Sequence, residues 1–162
     1  SSIFPDSMIH RKGGCHIRYG FGYDASFDDY KVVKIFGFDQ IEDRYENMVK
    51  VYSLKAKSWK IIEGFNSGYI NAKVGIFANG VLHWEARLSD SWEIVTLDLA
   101  TERYGKIALP SYEDGGIYWT LSVSRGNLIG CCNYERNKTD VWVMKEYGVE
   151  KSWTKLVTIS SL

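Results

Sequence analysis

The 162-residue chain is poor in the residues that punctuate or staple a fold. It has two prolines, Pro5 and Pro110, and three cysteines, Cys15, Cys131 and Cys132. Three thiols, two of them adjacent, make no disulfide framework, and this points to a reducing compartment. Charge of neither sign is in excess, with 20 Lys+Arg against 20 Asp+Glu. Without a basic block, the phosphate attraction behind nucleic-acid binding is missing, so nucleic acid is excluded as the main partner. No run approaches the roughly 20 apolar residues of a membrane helix, and none has the pattern of a signal peptide, so no membrane partner is expected. What is present is 45% apolar and 25% charged residues, which excludes disorder, and 15% aromatics. The length suits one domain or a piece of a larger one. The first residue is Ser1 rather than Met, and the chain stops at Leu162 without a tail, so a fragment incomplete at both ends is expected.

Helical periodicity is almost absent, and strand signals take its place. Residues 30–38 are rich in β-branched and aromatic side chains, which suit a pleated surface. Segments 49–54, 92–99 and 139–144 read the same way. Asn79-Gly80, between two short apolar runs, supplies the positive φ angles of a tight hairpin. Turn-like clusters such as Ala25–Asp29, Asp39–Asn47 and Ser111–Gly116 separate the strands. The fold class is all-β.

A repeat defines the architecture. Val51-Tyr52-Ser53-Leu54, Thr96-Leu97-Asp98-Leu99 and Val141-Trp142-Val143-Met144 follow one another at 45-residue intervals. Trp59, Tyr104 and Trp153 open the next strand of each unit, and their recurrence predicts structural wedging between units. Units of this length with four strands each match the period of β-propeller blades. The strands are expected near 15–22, 30–38, 49–54 and 59–63; near 74–78, 81–87, 92–99 and 104–109; and near 118–124, 127–134, 139–145 and 153–159. About three kelch-like blades make a partial propeller, since closed ones hold four to eight.

This register sorts the loops onto two rims. One carries the connections 39–48, 88–91 and 135–138, together with the blade-to-blade segments 64–73 and 110–117. These are the longer, more polar loops, and binding concentrates in loops on a rigid scaffold. The expected partner-binding residues are Asp39, Glu42, Asp43, Arg44 and Tyr45, with Tyr112, Glu113 and Arg136. Trp92 and Trp119 flank loops and join the list, because aromatics are enriched in binding hot spots.

Tyr19-Gly20-Phe21-Gly22-Tyr23-Asp24, followed by Asp29-Tyr30-Lys31-Val32-Val33, resembles the opening of the F-box-associated domain of plant F-box proteins. Further blocks fit the same family in the same order: Val49–Leu54 through Trp59, Asn79–Trp84, Ile94–Leu99, and Asp140–Gly148 ending at Ser152-Trp153-Thr154. Together they cover about residues 17 to 158. F-box/kelch-repeat proteins are the nearest relatives implied, and the pollen S-locus F-box proteins are more distant ones. The resemblance implies the substrate-recognition module of a Skp–cullin–F-box ubiquitin ligase, cytoplasmic and/or nuclear, which binds a target protein through a loop face. The Skp adaptor and cullin would be reached only through an F-box, and no F-box is recognisable in these residues.

Chemistry is weakly represented. Cys15-His16, His10 and His83 are the hints of metal ligation, but no Cys-x2-Cys or His-x3-His spacing exists, so neither metal nor cofactor is expected. Cys131 and Cys132 read as one inward hydrophobe and one outward thiol. Gly20-Phe21-Gly22 lacks the third glycine and the helix of a nucleotide loop, and close backbone packing accounts for it better. No nucleophile elbow or phosphate loop is present, so the protein is read as a non-enzyme. A sugar-active enzyme or a lectin-like module on a propeller scaffold is the alternative.

Overall fold

The computed structural model describes residues 15–41, 44–66, 68–88, 91–113, 116–135 and 137–160. They form three antiparallel sheets that follow one another along the chain. The first contains β1 (Cys15–Asp24), β2 (Asp29–Ile41), β3 (Arg44–Ser53) and β4 (Ser58–Ile62), paired in that order. The second contains β5 (Tyr69–Ile70), β6 (Ile76–Ala78), β7 (Val81–Leu88), β8 (Ser91–Asp98) and β9 (Tyr104–Ala108). The third contains β10 (Gly116–Ser124), β11 (Asn127–Tyr134), β12 (Lys138–Met144) and β13 (Trp153–Ser160). A 3-10 turn at Glu150–Ser152 precedes β13. Three sheets of sequential hairpins, packed face on face, make a partial β-propeller, and most of the expected strands fall where the spacing put them.

Two parts of the expectation need correction. The second sheet does not begin with one strand at 74–78. Its inner edge is split, with β5 pairing Arg87 and Ala86 of β7 and β6 pairing His83 to Val81. Between them the chain leaves β7 and bonds to β1 instead. The Tyr19 amide donates to the Lys73 carbonyl at 2.8 Å, and the Gly75 amide to the Tyr19 carbonyl at 2.7 Å. The polar stretch 39–48 is likewise not a long loop. It continues the β2–β3 hairpin, with Phe38 opposite Glu46 and Ile41 opposite Arg44.

The repeated turns share backbone geometry. Asn79 and Arg125 take φ of 53° and 51°, and the following Gly80 and Gly126 take 74° and 78°. Positive φ at both central residues is the twist that suits a two-residue hairpin. Lys57 and Glu102, in the turns before β4 and β9, match in the same way at 52° and 60°.

Each sheet has two unlike faces. In the first, Val33, Ile35, Val49 and Val51 point toward the second sheet and are 0–5% exposed. They meet Leu82, Trp84, Val95 and Leu97 of the second sheet in one core. The reverse side of the second sheet offers Ile94 and Ile107 to Trp119, Leu121, Leu128, Met144 and Trp153 of the third, in a second core. Burying each such aliphatic side chain contributes roughly 1.5–3 kcal/mol. β-Branched side chains on one face and large or aromatic ones on the other therefore build both joints.

The joints are also hydrogen-bonded. Tyr104 donates to the Glu63 carbonyl at 2.5 Å, and the Trp153 indole N–H to the Ala108 carbonyl at 2.9 Å. Both acceptors lie at or just past the end of the preceding sheet's last strand, 45 residues apart. The wedging expected of Tyr104 and Trp153 is thus present. Trp59 differs: it packs on Tyr52 with ring centroids 5.1 Å apart and stands 42% exposed.

Candidate functional site

The rim with the β2–β3, β7–β8 and β11–β12 turns also carries the segments that link one sheet to the next. Those linkers are held by side chains from the strands. Asn47 on β3 brackets Phe65, its amide donating to the Phe65 carbonyl at 2.7 Å and its oxygen accepting the Phe65 N–H at 3.0 Å. Arg18 on β1 reaches across to the second sheet. Its Nε donates to the Ile70 carbonyl at 3.1 Å and its Nη2 to the Tyr69 hydroxyl at 2.8 Å. His16 meets the Tyr69 ring edge-on at 5.3 Å. These residues line a small recess between the first two sheets, with Gly37, Glu46 and Phe65 completing its wall.

At the next joint along the rim, the linker into the third sheet brings Tyr112 and Glu113 over β10–β12. Glu113 is exposed and accepts a 2.7 Å hydrogen bond from Lys138 Nζ, which raises the Lys138 pKa above its ordinary value. The Lys138 ammonium also lies 4.8 Å from the centroid of the Tyr134 ring. Tyr112 is half-buried and meets Trp119 edge-on, with centroids 5.9 Å apart. Beneath them Asp140 is 1% exposed. Burial alone would raise its pKa, but hydrogen bonds from Thr158 and Tyr134 and the charge of Lys155 outweigh this and hold the carboxyl below its ordinary range.

The sequence-predicted residues separate into groups. Tyr112 and Glu113 are together on this rim with Lys138, which sequence reading passed over. Asp39, Arg44 and Tyr45 belong to the β2–β3 hairpin that projects on the same rim. Glu42, Asp43 and Arg136 lie outside the described residues. Trp92 and Trp119 are a correction. Trp119 is 0% exposed and Trp92 9%, both within the core between the second and third sheets. Their side chains point inward from β8 and β10, so neither offers a surface to a partner. Arg18, His16, Asn47 and Tyr69 were also missed; the available signal was a polar residue on the inward parity of a strand, as Arg18 stands opposite Ile35 and Val49 in register.

Of the residues weighed as metal ligands, His10 lies outside the described residues. His83 is buried and bonded to Ile76 and Tyr147. Cys132 is fully buried and Cys131 half-buried, and burial raises both thiol pKa values. Among the described residues no group of three His, Cys, Asp or Glu is placed to hold a metal ion.

A stack of blade-like sheets, whose linker rim carries half-buried aromatic and exposed charged side chains, defines the class: a propeller scaffold with a loop rim. Residues 5–162 match the model of the F-box associated beta propeller domain, and the chain belongs to that family. It is 37% identical to an F-box/kelch-repeat protein of Arabidopsis thaliana over 155 residues, covering 91% of this chain and 41% of that protein. It is 35% identical to the F-box protein CPR1 of Arabidopsis thaliana over 182 residues, covering 96% of this chain and 44% of that protein. The chain thus spans less than half the length of the curated relatives it matches.

Proposed function

We propose that this domain is the substrate-recognition part of an F-box ubiquitin ligase, holding a target protein on the linker rim while an F-box elsewhere in the protein holds the Skp adaptor and, through it, the cullin. Membership of the F-box-associated family is the observation that carries the reading. The rim geometry supports it: Tyr112, Glu113 and Lys138 form a half-buried aromatic and charged patch on a scaffold fixed by two cores. The mechanism is positional and involves no bond-making by these residues. Holding target and ubiquitin-charged machinery on one assembly replaces a bimolecular encounter by an effectively intramolecular one. The site of action proposed is the cytoplasm and/or nucleus.

The test is affinity purification of the full-length parent protein, intact and with residues 15–160 deleted. The expected result is that both forms retain the Skp adaptor, while only the intact form retains a target whose level rises when the parent is removed from cells. A folded full-length parent that binds no Skp adaptor overturns the ligase reading. A deletion that leaves target capture intact overturns the role of this domain.

A further inference from the structure

Arg18 sets a guanidinium into an otherwise apolar joint. It stands on the face of β1 that looks toward the second sheet, in register with Ile35 and, beyond it, Val49, which are 2% and 0% exposed. Arg18 itself is half-buried. Its Nε donates to the Ile70 carbonyl, Nη2 to the Tyr69 hydroxyl and Nη1 to the Ile17 carbonyl. All three acceptors are neutral, and among the described residues no carboxylate stands within ion-pair distance of the guanidinium. A guanidinium carries five N–H donors, so one remains on each terminal nitrogen. A charge drawn out of water without a counter-ion costs stability. The joint does not require it, because the bond repeated between sheets comes from Tyr104 and Trp153.

The small recess that Arg18 lines says what kind of anion fits. Ile35, Ile70, Phe65 and Tyr69 give it apolar walls, while Glu46 stands at its side. Among the described residues no lysine and no second arginine lines it. One cation with a carboxylate nearby suits a single negative charge and disfavours a dianionic phosphate. Two N–H groups, one on each terminal nitrogen, are the number that a carboxylate takes in a bidentate pair with arginine. The apolar walls suit the short hydrocarbon stem behind such a group.

We infer that this recess is a carboxylate-binding subsite of the linker rim, in which Arg18 anchors an acidic side chain or the C-terminal carboxylate of the target. The subsite rests on the receptor reading proposed above and adds the chemistry by which the target is held. It lies at the first joint, beside the β2–β3 hairpin, whereas Tyr112, Glu113 and Lys138 lie at the second.

The experiment measures binding of the purified full-length parent protein to two pairs of degenerate heptapeptide libraries. One pair has blocked ends and either Glu or Gln fixed at the centre, with every other position uncharged. The other pair is uncharged throughout and ends in either a free carboxylate or an amide. The expected result is a preference of about tenfold or more for the carboxylate member of one pair, and the pair that shows it identifies the source of the group. Arg18→Gln, which keeps an amide donor but no charge, is expected to abolish the preference while the protein stays folded and keeps the Skp adaptor. No preference in either pair overturns the proposal, as does a preference that Arg18→Gln retains. If Arg18→Gln does not fold, phenylglyoxal modification of Arg18 in the unsubstituted parent, read by peptide mass spectrometry, decides instead. Slowing by the carboxylate member alone supports the subsite, and equal rates with both members overturn it. The receptor reading fails separately, by loss of the Skp adaptor or by target capture without residues 15–160, and neither result moves these ratios.

Discussion

Tyr147, in the turn between β12 and β13, donates its hydroxyl proton to Nε2 of His83 in the neighbouring sheet, 2.6 Å away. The direction is fixed by the other side of the ring. Nδ1 lies 3.0 Å from the carbonyl oxygen of Ile76, which can only accept, so Nδ1 carries the proton and Nε2 is the free acceptor. The two rings meet edge-on at 5.5 Å. The bond ties the turn after β12 in the third sheet to β7, at the edge of the hydrophobic joint between the two sheets. Tyr147→Phe keeps the ring contact and removes the donor, leaving a buried imidazole nitrogen unpaired. The expected cost is about 1–2 kcal/mol, measured as a lower urea midpoint with an unchanged slope.

Two residues along β7, Glu85 is 4% exposed, and burial pushes its carboxyl up from 4.5 to about 7, against a small opposing pull from its own backbone N–H. A folded pKa above the unfolded one means that the folded state keeps a proton the unfolded chain gives up. The stabilising contribution is therefore full below pH 4.5 and is lost as pH rises through about 7. His83 runs the other way. Burial lowers its pKa from 6.5, so its contribution is present above that pH and is lost as pH falls. Glu85→Gln removes the first effect and leaves the second. Chemical denaturation at pH 5 and pH 8 should show the parent losing up to about 3 kcal/mol more across that interval than the variant. Equal losses would refute the raised carboxyl.

Much of this fold was legible before any coordinates. Asn79-Gly80 marked its turn because two consecutive positive φ angles are a local requirement, and the 45-residue period located the strands because each sheet repeats the same local pattern. What stayed hidden depends on contacts distant in sequence. The break between β5 and β6 exists because Gly75 and Lys73 bond to Tyr19 of another sheet, and nothing local announces it. The β2–β3 hairpin extends past Phe38 although its residues are polar, so alternation gives no strand signal there. By its nearness to a loop, Trp119 reads as a rim residue. Strand parity decided otherwise: it lies opposite Cys132 in register, and both face the core. At the rim itself Tyr112 and Glu113 were readable from loop position. Lys138 was not, because only the turn beside it brings it to Glu113.

The glycines of β1 and its neighbour make a graded test of how tightly the first joint is closed. A Cβ on Gly75 would lie 2.5 Å from Trp84 Cε2, inside a rigid and 1% exposed indole. One on Gly20 would lie 2.7 Å from Leu82 Cδ1 and 2.8 Å from Trp84 Cζ2. At Gly37 the nearest atom would be 3.7 Å away, an ordinary contact. Gly75→Ala and Gly20→Ala are each expected to cost about 1–3 kcal/mol by overpacking, while Gly37→Ala is expected to be neutral or slightly stabilising. Thermal denaturation of the three variants side by side checks the order, and a destabilised Gly37→Ala beside an unaffected Gly75→Ala would contradict this joint.

Trp119 and Glu113, six residues apart, answer opposite questions when substituted. Trp119→Ala empties the centre of the second core and should cost about 3–5 kcal/mol, enough to unfold a marginal domain. Glu113→Ala breaks only an exposed ion pair with Lys138, so stability should change by less than about 1 kcal/mol. If the rim holds the target, the second variant alone is informative about binding: the full-length protein carrying Glu113→Ala should fold, keep the Skp adaptor and recover less target in affinity purification. Lys138→Ala should weaken capture in parallel, because the same pair presents both charges. Full target recovery by both folded variants would move the recognition surface away from the β10–β12 end of the rim, toward the β2–β3 hairpin.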